Sequence, residues 1–200
     1  MHPQVTGFVL AGGRSSRMGT NKALLMLSGK PLIERTKSIL DSVCEKVFIL
    51  GSRDLYGSFG QCYEDVYPDC GPLSGIHAAL TNAQTEWSLI TAVDTPFLTA
   101  EFLNYLVEKA VHSPALLTAP RVAGHVQPLC TVFSRRFLPI VEAALKAGKY
   151  KVGALFAKDQ SLILGESELD EFALAEDMFE NLNTPEDFER ARVRSTGRHS

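Results

Sequence analysis

The stretch VTGFVLAGGRSSRMGTNK, residues 5–22, decides the fold. Its first seven residues are apolar and rich in β-branched and aromatic side chains, and they run straight into Gly12 and Gly13. A short apolar run that ends in glycine reads as a buried strand feeding a tight loop. Adjacent glycines let the backbone approach a ligand with no Cβ in the way, and successive exposed N–H groups make an anion-binding concavity. Arg14, Arg17 and Lys22 place three cations around it. That set suits a triphosphate: amides for geometry, arginines for bidentate oxygen contacts, lysine as a point charge. Two common phosphate loops do not match. GxxxxGK[ST] fails because Thr20, not lysine, follows Gly19, and GxGxxG fails because the glycines are adjacent.

Outward from this loop, strand and helix signals alternate. Strands are expected at residues 47–50, 61–64, 87–93, 115–118, 129–133 and 161–164. Helical spacing runs from Pro31 to Val43, over residues 71–82, from Thr99 onward and over 135–147. A short helix is expected at 151–157. Thr184 and Pro185 open a terminal helix as cap and first-turn residue. The alternation predicts an α/β, three-layer, Rossmann-like domain with a mostly parallel central sheet. No linker or repeat interrupts residues 1–200, so a single domain is expected, with a flexible tail at 193–200.

The composition excludes several classes. Lys+Arg number 20 against 23 Asp+Glu, a net charge of −3, with no basic cluster for nucleic acid or an anionic membrane. No apolar run reaches the length of a membrane span. Cys44, Cys62, Cys70 and Cys130 form no CxxC pair and read as reduced structural thiols of a cytoplasmic protein. Seven acids lie in residues 166–180 and four arginines in 190–200; both stretches are expected to be solvated surface.

Asp94 follows the strand at 87–93 and precedes Thr95 and Pro96. This puts a carboxylate at the C-terminal edge of a strand, beside the glycine loop if the two strands pair. Mg²⁺ prefers one or two carboxylates plus phosphate oxygens and water, so a single aspartate is enough. Thr99 is the better cap for the next helix.

Residues 10–22 resemble the nucleotidyltransferase signature LxGGxSxRMGxxK as molybdenum cofactor guanylyltransferases carry it. Three further segments are similar to that family in the same order. These are Gly71-Pro72-Leu73-Ser74-Gly75, Asp94-Thr95-Pro96 and Asn181-Leu182-Asn183-Thr184-Pro185-Glu186. The resemblance covers nearly the whole chain. It implies transfer of GMP from GTP to the terminal phosphate of molybdopterin, with release of pyrophosphate. It implies Arg17, Lys22 and Asp94 as catalytic residues, with Mg²⁺ on Asp94. GTP would contact Leu10, Ala11, Gly12, Gly13, Lys22, Asp65, Gly75 and Asp94, and the acceptor Lys151, Asn181 and Asn183, with the free N–H groups at the mouth of the terminal helix suited to the acceptor's phosphate. Residues 1–100 would form the nucleotide half and 101–192 the acceptor half. Transient contacts with cofactor-biosynthesis or molybdoenzyme-maturation proteins would follow.

Two departures stand out. Family members often carry a nucleotide-contacting Asn after the second strand, where this chain has Leu50-Gly51-Ser52, and Lys151 stands where Arg is usual. Related cytidylyltransferases show Ala-Ala-Gly where this chain has Ala11-Gly12-Gly13, and the extra glycine favours a purine. The alternatives are a related enzyme using CTP or a sugar phosphate, and a non-catalytic nucleotide-binding assembly protein.

Overall fold

The computed structural model describes residues 1–12, 21–169, 172 and 175–197. Strand β1 is His2–Leu10; β2 (Met26–Leu27) and β3 (Lys30–Pro31) form a small hairpin, and helix α1 is Leu32–Asp41. Then come β4 (Cys44–Leu50), α2 (Arg53–Tyr56), β5 (Cys62–Tyr63), α3 (Pro72–Asn82), β6 (Trp87–Ala92) and α4 (Ala100–Val111). The second half holds β7 (Leu117–Val122), β8 (His125–Val126), β9 (Cys130–Ser134), α5 (Leu138–Lys146) and β10 (Ser161–Leu164). Short helices α6 (Glu166–Leu169) and α7 (Ala175–Met178) lead to α8 (Pro185–Gly197).

The main sheet has the order β10-β7-β9-β6-β1-β4-β5, with β8 paired to β7. Parallel partners flank β1 on both sides, Leu10 lying opposite Leu50 of β4 and Ala92 of β6. Pairs β4–β5 and β7–β10 are also parallel, while β9 runs antiparallel between β6 and β7. A strand buried on both faces needs apolar residues at odd and even positions. In β1, Val5 and Val9 join the core under α1 and α4, while Phe8 and Leu10 join the core under α3 and α5. The same division separates Ile49 from Phe48 and Leu50, and Leu89 from Ile90. The result is the expected three-layer sandwich.

The structure moves several expected elements. The strand expected at 115–118 is Leu117–Val122, because Pro120 stays in the strand: Leu164 pairs beside it and its carbonyl accepts from Gln127 N–H at 2.9 Å. The helix expected from 135 opens with a 3-10 turn, Arg135–Phe137, capped by Ser134, and the one expected at 151–157 is a single 3-10 turn, Val152–Leu155.

Residues 193–197, expected as tail, continue α8. Arg194 pairs with Asp177 and with Glu180 at 3.4 Å, and its guanidinium lies 4.7 Å from the Phe97 ring centroid. Arg190 also reaches Glu180, at 3.5 Å. The acidic and arginine-rich stretches therefore pair with each other in part, which composition along the chain could not reveal. Residues 198–200 lie outside the described residues. Among the described residues, no helix is long and apolar enough to cross a membrane.

Phe102 of α4 is fully buried, with Phe172 and Phe179 edge-on at 5.5 and 5.4 Å. Truncating such a ring removes transfer energy and leaves a cavity. Phe102→Ala is expected to lower unfolding free energy by about 3–5 kcal/mol in a denaturant titration. A loss below about 1 kcal/mol would mean that this face of the core collapses freely.

Candidate active site

Because β1 and β6 run in register, the residues leaving their C-terminal ends are neighbours, and Val93 N–H donates to the Leu10 carbonyl at 3.3 Å. Gly12 and Asp94 each lie two residues beyond those ends, on the sheet edge where open α/β sheets bind ligands. Thr99, not Asp94, caps α4: its hydroxyl accepts from Phe102 N–H at 3.2 Å. Asp94 is left for the edge.

Lys22 arrives there on a 3-10 turn, Lys22–Leu24, capped by Asn21, whose Oδ1 accepts from Ala23 N–H at 3.1 Å. Lys22 Nζ stands 3.6 Å from Asp94 Oδ2 and donates to Asn183 Oδ1 at 3.1 Å. The ion-paired side chains keep 17% and 23% exposure, so salt screens them less than an open surface pair. The Asp94 carbonyl accepts from Leu182 N–H at 2.9 Å, which ties residues 181–184 to the sheet edge. Asp94, Gln127, Leu129, Asn181 and Asn183 then line a cleft of about 230 Å³.

A second cleft, of about 390 Å³, is lined by Leu10, Gly12, Asp65, Asp69, Gly71 and Gly75, among others. Gly71 opens α3 at φ +65, with Pro72 as the first helical residue. A Cβ on Gly75 would stand 2.4 Å from Leu10 Cδ1, so glycine there lets α3 lie close to the end of β1. The loop carrying Asp65 is held to α3 twice. The Ser74 hydroxyl donates to the Tyr67 carbonyl, and the Tyr67 ring meets the His77 ring edge-on at 4.9 Å. Asp65 is exposed at the mouth, yet its Oδ1 faces α3, 3.9 Å from the point a Gly75 Cβ would occupy. Burial of that inner side pushes the Asp65 carboxyl above its ordinary range, and nearby His77 offsets part of the rise. Two carboxylates in one cleft offer acceptors to a ligand rich in N–H groups.

The structure thus gathers Leu10, Gly12, Asp65 and Gly75 in one cleft and Asp94, Asn181 and Asn183 in another, with Lys22 bonded to Asp94 and Asn183. Gly13 and Arg17 lie outside the described residues. Lys151 is exposed beside a turn that packs on the α3–α5 side, and it lines neither cleft.

Two expected phosphate contacts change. Gly12 N–H donates to the Leu50 carbonyl at 3.0 Å, so this amide is already committed and Gly12 serves as cleft wall. At the start of α8, the amides of Asn183 and Thr184 donate to Asp187 Oδ2 at 2.9 and 2.8 Å, while Asp187 N–H donates to Thr184 Oγ1. This reciprocal cap fills the helix mouth that looked open for an acceptor phosphate. The asparagines contribute side chains instead. Asp69 in the nucleotide-side cleft went unread; its one signal was its place just before Cys70 and Gly71.

Residues 7–162 match the family described as the MobA-like NTP transferase domain. The chain belongs to that family. Full-length relatives include the "Probable molybdenum cofactor guanylyltransferase" of Pelotomaculum thermopropionicum, 38% identical over 95% of this chain and 93% of its own. The molybdenum cofactor guanylyltransferase of Desulfosudis oleivorans is 34% identical over 94% and 95%. The fold matches molybdopterin-guanine dinucleotide biosynthesis protein A of Archaeoglobus fulgidus, with TM-score 0.84, 23% identity, and coverage of 96% and 99%. As a MobA-like transferase the protein is a nucleotidyltransferase, of the molybdenum cofactor guanylyltransferase group. Enzymes of this family generally need a divalent metal. Beside Asp94 the cleft offers one carboxylate and the side-chain amide oxygens of Gln127, Asn181 and Asn183, oxygen donors that suit a hard cation, although no group of three or more His, Cys, Asp or Glu that could hold a metal occurs among the described residues.

Gly75 gives a direct check on the cleft. In Gly75→Ala the new methyl must displace the buried Leu10 side chain. The expected loss is about 1–3 kcal/mol from overpacking, read by denaturant unfolding. Unchanged stability would show that Leu10 has room to move aside.

Proposed function

We propose that this MobA-like transferase moves GMP from GTP to the terminal phosphate of molybdopterin and releases pyrophosphate. The observation that carries the reading is the Lys22–Asp94–Asn183 cluster, where the nucleotide loop, the central sheet and the C-terminal segment converge. Guanine presents N1–H and N2–H₂ donors, and the cleft of Asp65 and Asp69 supplies acceptors for them. This favours GTP over CTP, whose base lacks that paired donor edge. The smaller cleft would take the acceptor, with Asn181 and Asn183 offering donors and acceptors to a pterin edge.

In the transfer, an acceptor phosphate oxygen forms a bond to the α-phosphorus of GTP, and the bond from that phosphorus to the β-bridging oxygen breaks. The nucleophile is already ionised at neutral pH, so no general base is needed. The barrier is mostly charge repulsion and positioning, which makes catalysis electrostatic. Lys22 would turn from Asp94 toward the leaving pyrophosphate, and Arg17 would add a second cation. Asp94 would hold Mg²⁺, which when bound neutralises phosphate charge. The protein would act in the cytoplasm, consistent with four free cysteines, and would meet cofactor-biosynthesis or molybdoenzyme-maturation proteins transiently.

The test is pyrophosphate release that requires both GTP and added molybdopterin, and that CTP does not support. Asp94→Asn, nearly isosteric, is expected to fold normally and to lose turnover by at least about a hundredfold. A folded Asp94→Asn protein with wild-type GMP transfer would rule out the metal role.

Asp65 yields a pH dependence. As a carboxylate it accepts from guanine; protonated, it loses that capacity. Because burial raises its pKa, GTP affinity should fall as pH drops, from a higher pH than an ordinary carboxyl near 3.8 would allow. Asp65→Asn should bind GTP about tenfold or more weakly at pH 7.5, the scale of a charge-assisted hydrogen bond. In calorimetry the gap to wild type should narrow as the pH is lowered. A constant gap would remove Asp65 from base recognition.

A further inference from the structure

Gln127 follows β8 and is held at the sheet edge through its backbone. Its N–H donates to the Pro120 carbonyl at 2.9 Å, and its own carbonyl accepts from Cys130 N–H at 3.2 Å. Two residues on, the Leu129 carbonyl accepts from Ala92 N–H at 3.0 Å, which fastens this turn to the end of β6, beside Asp94. Gln127 thereby lines the smaller cleft together with Asn181 and Asn183, which arrive from the far end of the chain. The three side-chain amides differ in what they have left to offer. Gln127 Nε2 donates to the His125 carbonyl and Asn181 Nδ2 to the Phe179 carbonyl, both at 3.4 Å. Asn183 Oδ1 accepts from Lys22 at 3.1 Å. No other described residue bonds these side chains. The oxygens left over are Gln127 Oε1 and Asn181 Oδ1, and the nitrogen left over is Asn183 Nδ2.

We propose that Gln127 is a specificity residue for the acceptor, reading the 2-amino-4-oxo edge of the pterin ring together with Asn181 and Asn183. The inference rests on reading this cleft as the acceptor cleft. That edge carries N2–H₂ and N3–H as donors and O4 as acceptor, so its complement is two oxygens and one nitrogen. The two asparagines leave one oxygen and one nitrogen, which meets only two of the three groups. Gln127 Oε1 supplies the missing acceptor. Ala92, Leu129 and Phe179 add an apolar wall, as a flat ring requires. A ligand with oxygen in place of the 2-amino group would set acceptor against acceptor at Gln127. A site built to take a donor rejects such a ligand, because its own polar groups are left unpaired.

The test compares pterin with lumazine, its 2-oxo counterpart, as calorimetric probes of the full chain. Guanosine is the control, because guanine presents the same donor and acceptor pattern to the other cleft. Wild type is expected to bind pterin about tenfold or more tightly than lumazine. Gln127→Leu keeps the backbone bonds and the bulk but not the oxygen. Its preference should shrink to about threefold or less, with guanosine and GTP bound as by wild type. Its KM for molybdopterin should rise without a matching loss of kcat. Gln127→Glu keeps an acceptor at the same place and should restore the preference for pterin, a rescue that a packing role would not give. No preference in wild type, an unchanged preference in Gln127→Leu, loss of guanosine along with pterin, or no rescue by Gln127→Glu would each overturn the assignment. If Gln127→Leu does not fold, the smaller Gln127→Ala is read the same way. Wild-type protein that binds GTP but releases no pyrophosphate with molybdopterin would overturn the proposed function and this inference with it. Wild type that turns over molybdopterin yet treats pterin and lumazine alike would overturn only the role of Gln127.

Discussion

The parallel pairing of β1 with both β4 and β6 is the constraint on which the rest depends. It buries a continuous apolar strand on both faces and brings three chain ends out at one edge. Leu10, Leu50 and Ala92 lie side by side, so the glycine loop, the Gly51 turn and Asp94 have to be neighbours. Parallel strands need long crossovers, and here these crossovers are α1 and α3 with their loops. The Asp65 loop belongs to the second crossover and therefore reaches the same edge.

Polar links then join distant segments at that edge. The Leu50 carbonyl takes both the Ala11 and Gly12 amides, and the Asp94 carbonyl takes the Leu182 amide. Such bonds satisfy backbone groups that would otherwise be buried without partners, and they set the spacing of the clefts. The Lys22–Asp94 pair is different in kind. It holds two opposite charges together in a half-buried place, each charge otherwise suited to phosphate or metal. Burial pushes the Cys44 thiol up to about 12 and raises that of Cys130 as well, so both are held as neutral thiols.

Much of this arrangement was legible in the chain. The strand before Gly12, the cap at Thr99, the helix at Pro72 and the cap at Thr184 are local events, set by side-chain shape and backbone propensity within a few residues. Each appears in the structure near its expected place. The adjacency of Asp94 and the glycine loop needed one step more, the assumption that their strands pair, and alternation of strand and helix was enough to make it. Relatedness carried Asp65, Asn181 and Asn183, whose spacing alone has no physical meaning.

What the sequence by itself determined is the class of fold and, through its ordered motifs, the nucleotidyltransferase family: periodicity reports which faces are buried, and local side-chain shape reports where elements begin and end. What only the tertiary structure decided are the contacts between residues far apart along the chain. Asp187 occupies the helix mouth that looked open, the Leu50 carbonyl claims the Gly12 amide, and Arg194 crosses to Asp177 and Glu180. The reason is physical. Propensity acts over a few residues, whereas a hydrogen bond or ion pair has a range of a few ångströms in space, and only the packing of the layers brings such partners within it.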